Sequence, residues 1–268
     1  MSSAGRGAFG RTASLVYTLA ITEFKRRYYG NALGYFWTLA KPLLLFAVLY
    51  LAFTKILNFG GGVPDYPAMV ITGIVLYNYF AETTGEGLYG LVANEGLVRK
   101  VPVPLLVIPL ATALRCFFTL CLNLVAVLVF LAIADVPVTW QWLQFPLLLT
   151  ALLVFSSAMG ALLADLYVPF RDMGAIWEIG LQLFFWTAPI IYPIEAVAPE
   201  VRHVLMLNPL AVIVAQARHV LIGQGAPSVT EAMASPAMVA VPIGIVLAAL
   251  AASILLYRWI TPRIAEQL

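Results

Sequence analysis

The sequence predicts an all-α integral membrane protein with six transmembrane helices. Of its 268 residues, 62% are hydrophobic and only 10% are charged. A soluble domain usually carries about 25% charged residues, and a chain with so few could not cover its surface with polar side chains. The apolar residues lie in long runs, and a helix needs roughly 20 such residues to cross a bilayer. We therefore expect lipid to surround most of the chain.

Six segments are long and apolar enough to be spans, although the fifth contains Glu178 and Pro189. In chain order they are about 36–57, 67–89, 105–134, 143–164, 174–194 and 237–259.

The stretch 195–236, between the fifth and sixth spans, has a mixed composition. Its segment 204–223 is long enough to span, but it contains Asn208-Pro209, Arg218 and His219. Such groups are costly at bilayer depth. We therefore predict a re-entrant or interfacial helical pair here, in preference to a seventh span.

Basic residues are distributed unevenly between the two sides of this six-span arrangement. The side of the termini holds ten of them: Arg6, Arg11, Lys25, Arg26, Arg27, Arg99, Lys100, Arg171, Arg258 and Arg263. The other side holds three: Lys55, Arg202 and Arg218. By the positive-inside rule both termini are cytoplasmic. The predicted organisation is an N-terminal cytoplasmic arm (1–35), a transmembrane domain (36–260) and a cytoplasmic tail (261–268).

The arm contains a predicted amphipathic helix over residues 12–27. Ala13, Val16, Tyr17, Ala20 and Phe24 fall on one face, and the helix ends in the basic run Lys25-Arg26-Arg27. An amphipathic helix with a basic end is typical of the membrane surface, where its cations lie near anionic headgroups. The alternative is that the basic run only sets orientation.

The link between the second and third spans, about 88–104, is longer than the 2–8 residues that helix connections usually need. Its exposed polar candidates are Asn94, Glu95, Arg99 and Lys100. We interpret it as a docking element on the cytoplasmic face, with a solvated turn as the alternative.

Three charged residues fall within predicted spans. Glu82 and Glu86 share one face of the second span, and Arg115 lies in the third. A hairpin of these spans would bring all three to a similar depth, which favours an ion pair of Arg115 with Glu82 or Glu86. Contact with cargo and a proton relay through the two glutamates are the alternatives.

Aromatic residues are dense in the fifth predicted span. Phe184, Phe185 and Trp186 lie deeper than an interfacial belt would place them. They could line a path on which sugar rings stack, or they could be lipid-facing bulk.

The sequence contains no visible catalytic centre. It has no GxxxxGK[ST] phosphate-binding loop, and Cys116, Cys121, His203 and His219 form no pattern with metal-ligand spacing. The net charge of +2 is too small to suggest nucleic acid. We expect a transport subunit and not an enzyme, with any energy from ATP supplied by another subunit.

The stretch Arg26–Tyr50 resembles the start of the permeases of polysaccharide ABC exporters. It has their basic and aromatic opening, followed by the family pattern at Leu33, Gly34, Tyr35, Trp37 and Pro42. Further pieces match in the same order along the chain. They are Asn94–Lys100, the loop residues Tyr167, Arg171 and Asp172, the run Pro189–Pro193, and Asn208-Pro209-Leu210.

This resemblance implies a homodimer of six-helix subunits in the bacterial plasma membrane, bound to two copies of a separate ATPase that holds ATP and Mg. It implies that 12–27 is an interface helix and 90–101 a coupling helix. It also implies external gate helices between spans five and six, in a gate region with Tyr192, Asn208 and Pro209.

The cargo implied by the resemblance is a glycan on a polyprenyl diphosphate carrier, such as O-antigen, galactan or a teichoic-acid-like polymer. Lys25, Arg26 and Arg27 could then attract the diphosphate. The alternatives are a permease for small amphiphiles or drugs, a membrane-embedded lipid-modifying enzyme, and a proton-driven carrier.

Overall fold

The computed structural model describes residues 3–28, 34–56, 65–96, 104–223 and 226–267. Within these ranges the chain is helical and contains no β-strand, which confirms the all-α prediction. The helices are α1 (Ser3–Tyr28), α2 (Gly34–Leu51), α3 (Tyr66–Ala93), α4 (Val107–Ile133), α5 (Phe145–Tyr167), α6 (Met173–Thr187), α7 (Pro199–Leu205), α8 (Pro209–Ile222), α9 (Val229–Ala232) and α10 (Ala240–Gln267).

Four helical segments of the described ranges are long and apolar enough to cross a membrane: Phe36–Thr54, Val107–Ile133, Trp140–Tyr167 and Pro236–Trp259. They correspond to predicted spans one, three, four and six. With the long apolar runs of the sequence, they are consistent with a multi-pass integral membrane protein.

Predicted spans two and five differ from this group for physical reasons. Helix α3 has 28 residues, but Asn78 near its middle and Glu82 and Glu86 in its second half make it more polar than the other four, and it continues to Ala93, past the predicted end at 89. Helix α6 has only 15 residues, which is short for a span. The count of six spans therefore stays a prediction.

Helices α7 and α8 follow one another across a short break and are bent by 107°. This geometry suits a re-entrant pair, and it equally suits a broken span, which would be the fifth apolar crossing. Most residues of α8 are buried inside the bundle. Helix α8 is therefore packed into the protein, whereas α7 has no buried residue.

Helix α3 is the centre of the bundle, because it packs along α4 and α5 and also contacts α2, α6 and α8. A Cβ placed on Gly87 would lie 3.0 Å from the Cα of Gly160 in α5, and one on Gly160 would lie 3.2 Å from the carbonyl oxygen of Thr83. Small residues let two helix backbones approach closely in a membrane protein. The glycines thus set the spacing of α3 and α5.

Replacing Gly87 with valine is expected to destabilise the protein, because the new side chain would push the α5 backbone away. Overpacking of this kind costs about 1–3 kcal/mol. The matched control is Gly85→Val on the same helix, where a Cβ meets nothing within 4 Å. Thermal unfolding of the purified protein in detergent measures the difference, and equal midpoints for the two variants would contradict this account of the crossing.

Candidate functional site

The amphipathic arm packs against the bundle as helix α1. Ala20 is completely buried, and the ring of Phe24 meets Phe118 of α4 edge to face, with centroids 5.7 Å apart. Tyr17, also on the apolar face of the sequence pattern, remains 56% exposed. The last part of α1 is therefore the part that is docked on the protein.

The docking end of α1 lies beside a buried arginine. The side chain of Arg115, in α4, is only 6% exposed. It forms an ion pair with Glu86 of α3, its Nη1 lies 3.9 Å from Glu82 Oε1, and its Nε lies 3.5 Å from Glu23 Oε2 of α1. The structure thus brings Arg115 together with both predicted glutamates and adds a third carboxylate, from the arm.

Arg27 joins the same group from the end of α1. It forms an ion pair with Glu82, and its Nη1 lies 3.4 Å from Glu86 Oε1. Three carboxylates and two guanidinium groups therefore connect α1, α3 and α4. We call these five residues (Glu23, Arg27, Glu82, Glu86 and Arg115) the charge cluster.

Glu23 was missed by the sequence reasoning. The available signal was a single acidic residue in an otherwise basic arm, placed four residues before Arg27 and hence on the same helical face. Burial raises the pKa of the Glu23 carboxyl, while Arg115 and Arg26 act to lower it. Such opposing effects are typical of a carboxylate that is partly removed from water and also lies near positive charges.

The three residues predicted to recruit a diphosphate are placed differently from one another. Lys25 and Arg26 are exposed, whereas Arg27 is paired with the carboxylates of α3. The basic run therefore contains two cations that face outward and one that contributes to the charge cluster.

Beside the charge cluster a polar cavity of about 570 Å³ opens between α2, α3 and α4. Arg27, Glu82 and Glu86 line one part of it. The other polar or aromatic lining residues are Trp37, Thr38, Lys41, Asn78, Thr119 and Asn123. Lys41, Asn78 and Asn123 were not singled out from the sequence, although polar residues inside predicted spans are the signal that could have found them.

The predicted docking link is described only in part. Helix α3 includes residues 90–93, and Asn94 ends it by donating from Nδ2 to the Gly90 carbonyl oxygen at 2.9 Å. Glu95 lies half-buried in the next helical residues. Arg99 and Lys100 lie outside the described residues.

The three aromatic residues of α6 occupy distinct environments. Phe184 packs inside the subunit, with its ring centroid 4.9 Å from that of Phe80, and Phe185 packs against Tyr77 at 5.0 Å. Trp186 is 61% exposed. Only Trp186 presents a mostly free ring surface in the subunit.

The residues of the predicted gate region connect α6 to α8. Tyr192 donates its hydroxyl to the carbonyl oxygen of Trp186 at 3.0 Å. Asn208 caps α8, where its Oδ1 accepts from the Leu210 N–H at 2.9 Å, and its Nδ2 donates to Thr187 Oγ1 at 3.0 Å. Pro209 occupies the first turn of α8, where it sacrifices no helical hydrogen bond.

The same region is held by a second buried arginine, Arg218 of α8, which is 3% exposed. Its guanidinium donates to three backbone carbonyl oxygens: Met69 at 3.2 Å, Tyr192 at 3.3 Å and Ile190 at 2.5 Å. Carbonyls from the start of α3 and from the loop after α6 thus converge on one side chain of α8.

Among the described residues, no three His, Cys, Asp or Glu side chains lie together so that they could hold a metal ion. The described ranges show an arm docked on charged residues, a polar cavity beside it, and a segment between α6 and α8 that is held by hydrogen bonds to Arg218 and Asn208.

Comparison with known proteins gives a consistent result. A family model described as "ABC-2 type transporter" matches residues 14–222. The chain is 30% identical over 228 residues to the O-antigen export system permease protein RfbA of Myxococcus xanthus, covering 84% of this chain and 86% of that protein. It is 26% identical over 204 residues to an RfbA protein of Klebsiella pneumoniae, with 75% and 78% covered. It is 23% identical over 221 residues to the polysialic acid transport protein KpsM of Escherichia coli, with 81% and 84% covered.

Proposed function

Because this chain belongs to the ABC-2 type transporter family, we propose that it is the membrane subunit of an ATP-driven polysaccharide exporter. The cargo is a polysaccharide linked to polyprenyl diphosphate, carried from the cytoplasm outward across the bacterial plasma membrane. The observation that carries this proposal is the likeness to O-antigen export permeases and to a polysialic acid transport protein over three quarters or more of both chains.

The proposed assembly contains two copies of this chain and two copies of a cytoplasmic ATPase, which binds ATP and Mg. Helix α6 has an exposed apolar stripe, Ile176, Ile179, Leu183 and Trp186, which suits either lipid or a second copy. The ATPase docks on the link that begins at Asn94 and Glu95, and its closure moves α3 and the docked α1. Trp186, the exposed aromatic residue of α6, lines the path of the glycan.

Deletion of the gene in its own host tests the function. Surface polysaccharide is expected to disappear while lipid-linked polymer accumulates inside, and the restored gene should reverse both effects. The second candidate function, a permease for small amphiphiles, is favoured by the exposed apolar stripe of α6. It predicts that deletion leaves surface polysaccharide unchanged and increases sensitivity to amphiphilic compounds. Unchanged polysaccharide would reject the proposal.

The orientation is tested by single cysteines in a variant that lacks Cys116 and Cys121. Ala93 ends α3 on the proposed cytoplasmic side, and Ala196 is exposed on the proposed external side. A membrane-impermeant maleimide added to spheroplasts is expected to label Ala196→Cys and to label Ala93→Cys only after lysis. Labelling of Ala93→Cys in intact spheroplasts would contradict the cytoplasmic placement of the arm and the link.

The recruiting role is best tested on the two outward-facing cations. Each cation near an anionic surface contributes about 1 kcal/mol, so Lys25 and Arg26 together raise the local occupancy of a diphosphate by about thirtyfold. The double variant Lys25→Gln, Arg26→Gln is expected to insert normally, since Arg6, Arg11 and Arg27 remain, but to export at least about tenfold less glycan.

The control for this prediction is Arg11→Gln, on the same helix and about 20 Å away at 1.5 Å per residue. It removes a basic residue of the arm without changing the end that meets α2. Export is measured as the initial rate at which labelled glycan reaches the surface, at equal protein level. Wild-type export by the double variant would leave the basic run with a topological role only.

A further inference from the structure

The polar cavity between α2, α3 and α4 contains buried polar atoms that have no hydrogen-bond partner in the part of the chain that the structure describes. Thr119 is 3% exposed and Asn123 is 8% exposed, and both line the cavity. Neither Thr119 Oγ1 nor Asn123 Oδ1 has a hydrogen-bond partner among the described residues. A buried polar group without a partner costs free energy, and more so in a membrane protein, where water is scarce.

The cavity also reaches far into the helices. Asn78 lies close to the middle of α3 (Tyr66–Ala93), and Asn123 lies slightly past the middle of α4 (Val107–Ile133). The cavity therefore extends from the charge cluster at the arm to about half the length of the spans. Polar residues at such depth are functional candidates by default.

The charges of the lining select among ligands. Arg27 and Lys41 contribute two positive charges and Glu82 and Glu86 two negative charges, so the formal charge of the lining is zero. An anionic group would meet the two carboxylates, and a cationic group would meet Lys41. A lipid acyl chain would leave Thr119 and Asn123 without partners, which is the costly outcome.

We propose that this cavity binds a neutral, hydroxyl-rich group, namely a sugar residue of the exported glycan. A sugar hydroxyl both donates and accepts hydrogen bonds, as do the threonine hydroxyl and the asparagine amides that line the cavity. Trp37 in the lining adds an aromatic surface. The volume of about 570 Å³ falls in the range of small-ligand sites. The inference rests on the proposed function and deepens it, since it places sugar binding inside each subunit.

Two nearly isosteric substitutions separate binding from folding. Thr119→Val and Asn123→Leu each remove an oxygen without a hydrogen-bond partner in the described ranges, so stability is expected to stay unchanged or to rise. Each is expected to lower the initial rate of glycan export about fivefold through a lost hydrogen bond to sugar. Thr150→Val is the matched control, because Thr150 is exposed on α5 and its hydroxyl bonds only its own helix. Lower stability with unchanged export would indicate a structural role and overturn the proposal.

A capture experiment identifies the occupant without altering the polar residues. A diazirine-bearing amino acid replaces Leu45, which lines the cavity, or its neighbour Leu44, which is 59% exposed and does not. Irradiation of exporting cells is expected to attach glycan at position 45 and phospholipid at position 44. Phospholipid alone at position 45 would overturn the proposal even where glycan export itself is established. If gene deletion leaves surface glycan unchanged, the proposed function fails instead.

Discussion

Replacing Arg115 with methionine is expected to lower the free energy of unfolding by about 3 kcal/mol and to abolish most export. The side chain is nearly buried and faces three carboxylates, Glu23 of α1 and Glu82 and Glu86 of α3. Removing one partner of a buried ion pair is strongly destabilising, because the remaining charge is left uncompensated. Arg27 would then be the one guanidinium of the charge cluster left beside Glu23, Glu82 and Glu86.

The double variant Arg115→Met, Glu86→Gln is the informative comparison. It removes a carboxylate together with its arginine, so it is expected to recover at least about 1 kcal/mol of the loss. Arg258→Met, an exposed arginine of α10, controls for loss of a positive charge. Thermal unfolding of the purified protein and its level in the membrane are the measurements. A stable Arg115→Met protein, or a double variant less stable than the single one, would show that the charge cluster does not stabilise the docked arm.

The proximity of Arg115 to the two glutamates could be predicted from the sequence, because a hairpin of adjacent spans constrains the depth of all three. The positions of Glu23 and Arg27 beside them could not be predicted in this way. Their place depends on how α1 crosses the bundle, and helical periodicity defines only which face is apolar. Even that face was imperfect, since Tyr17 stays exposed while Ala20 is buried.

The polar cavity could not be predicted from the sequence for a related reason. Lys41, Asn78 and Asn123 lie on three different helices, and each is an ordinary isolated polar residue in the sequence. They line one cavity only because the packing of the three helices places them side by side. Phe184 shows the opposite case, since an aromatic residue that suggested a path lining packs largely inside the subunit. The helical class could be predicted from composition and from the length of the apolar runs, because the bilayer requires long apolar segments whose backbone hydrogen bonds are satisfied internally.

Replacing Arg218 with methionine is expected to have the largest effect outside the charge cluster, a loss of about 4 kcal/mol. The guanidinium donates to the carbonyls of Met69, Ile190 and Tyr192, and charged hydrogen bonds contribute about 1.5–3 kcal/mol each. No hydrocarbon side chain can satisfy these carbonyls. The space is also tight, since a Cβ on Gly73 would lie 2.9 Å from Arg218 Nη2.

Arg218→Lys separates charge from geometry, because an ammonium group keeps the charge but cannot reproduce the planar fork of donors. We expect it to lose about half of the stability that Arg218→Met loses. Arg202→Met is the matched control, since Arg202 lies in the adjacent α7 and is only half-buried. If Arg218 fixes the segment from the end of α6 to α8, both Arg218 variants also increase proteolysis between 188 and 208, whereas Arg202→Met does not. Unchanged proteolysis in Arg218→Met would mean that Asn208 and Tyr192 hold this segment without the arginine.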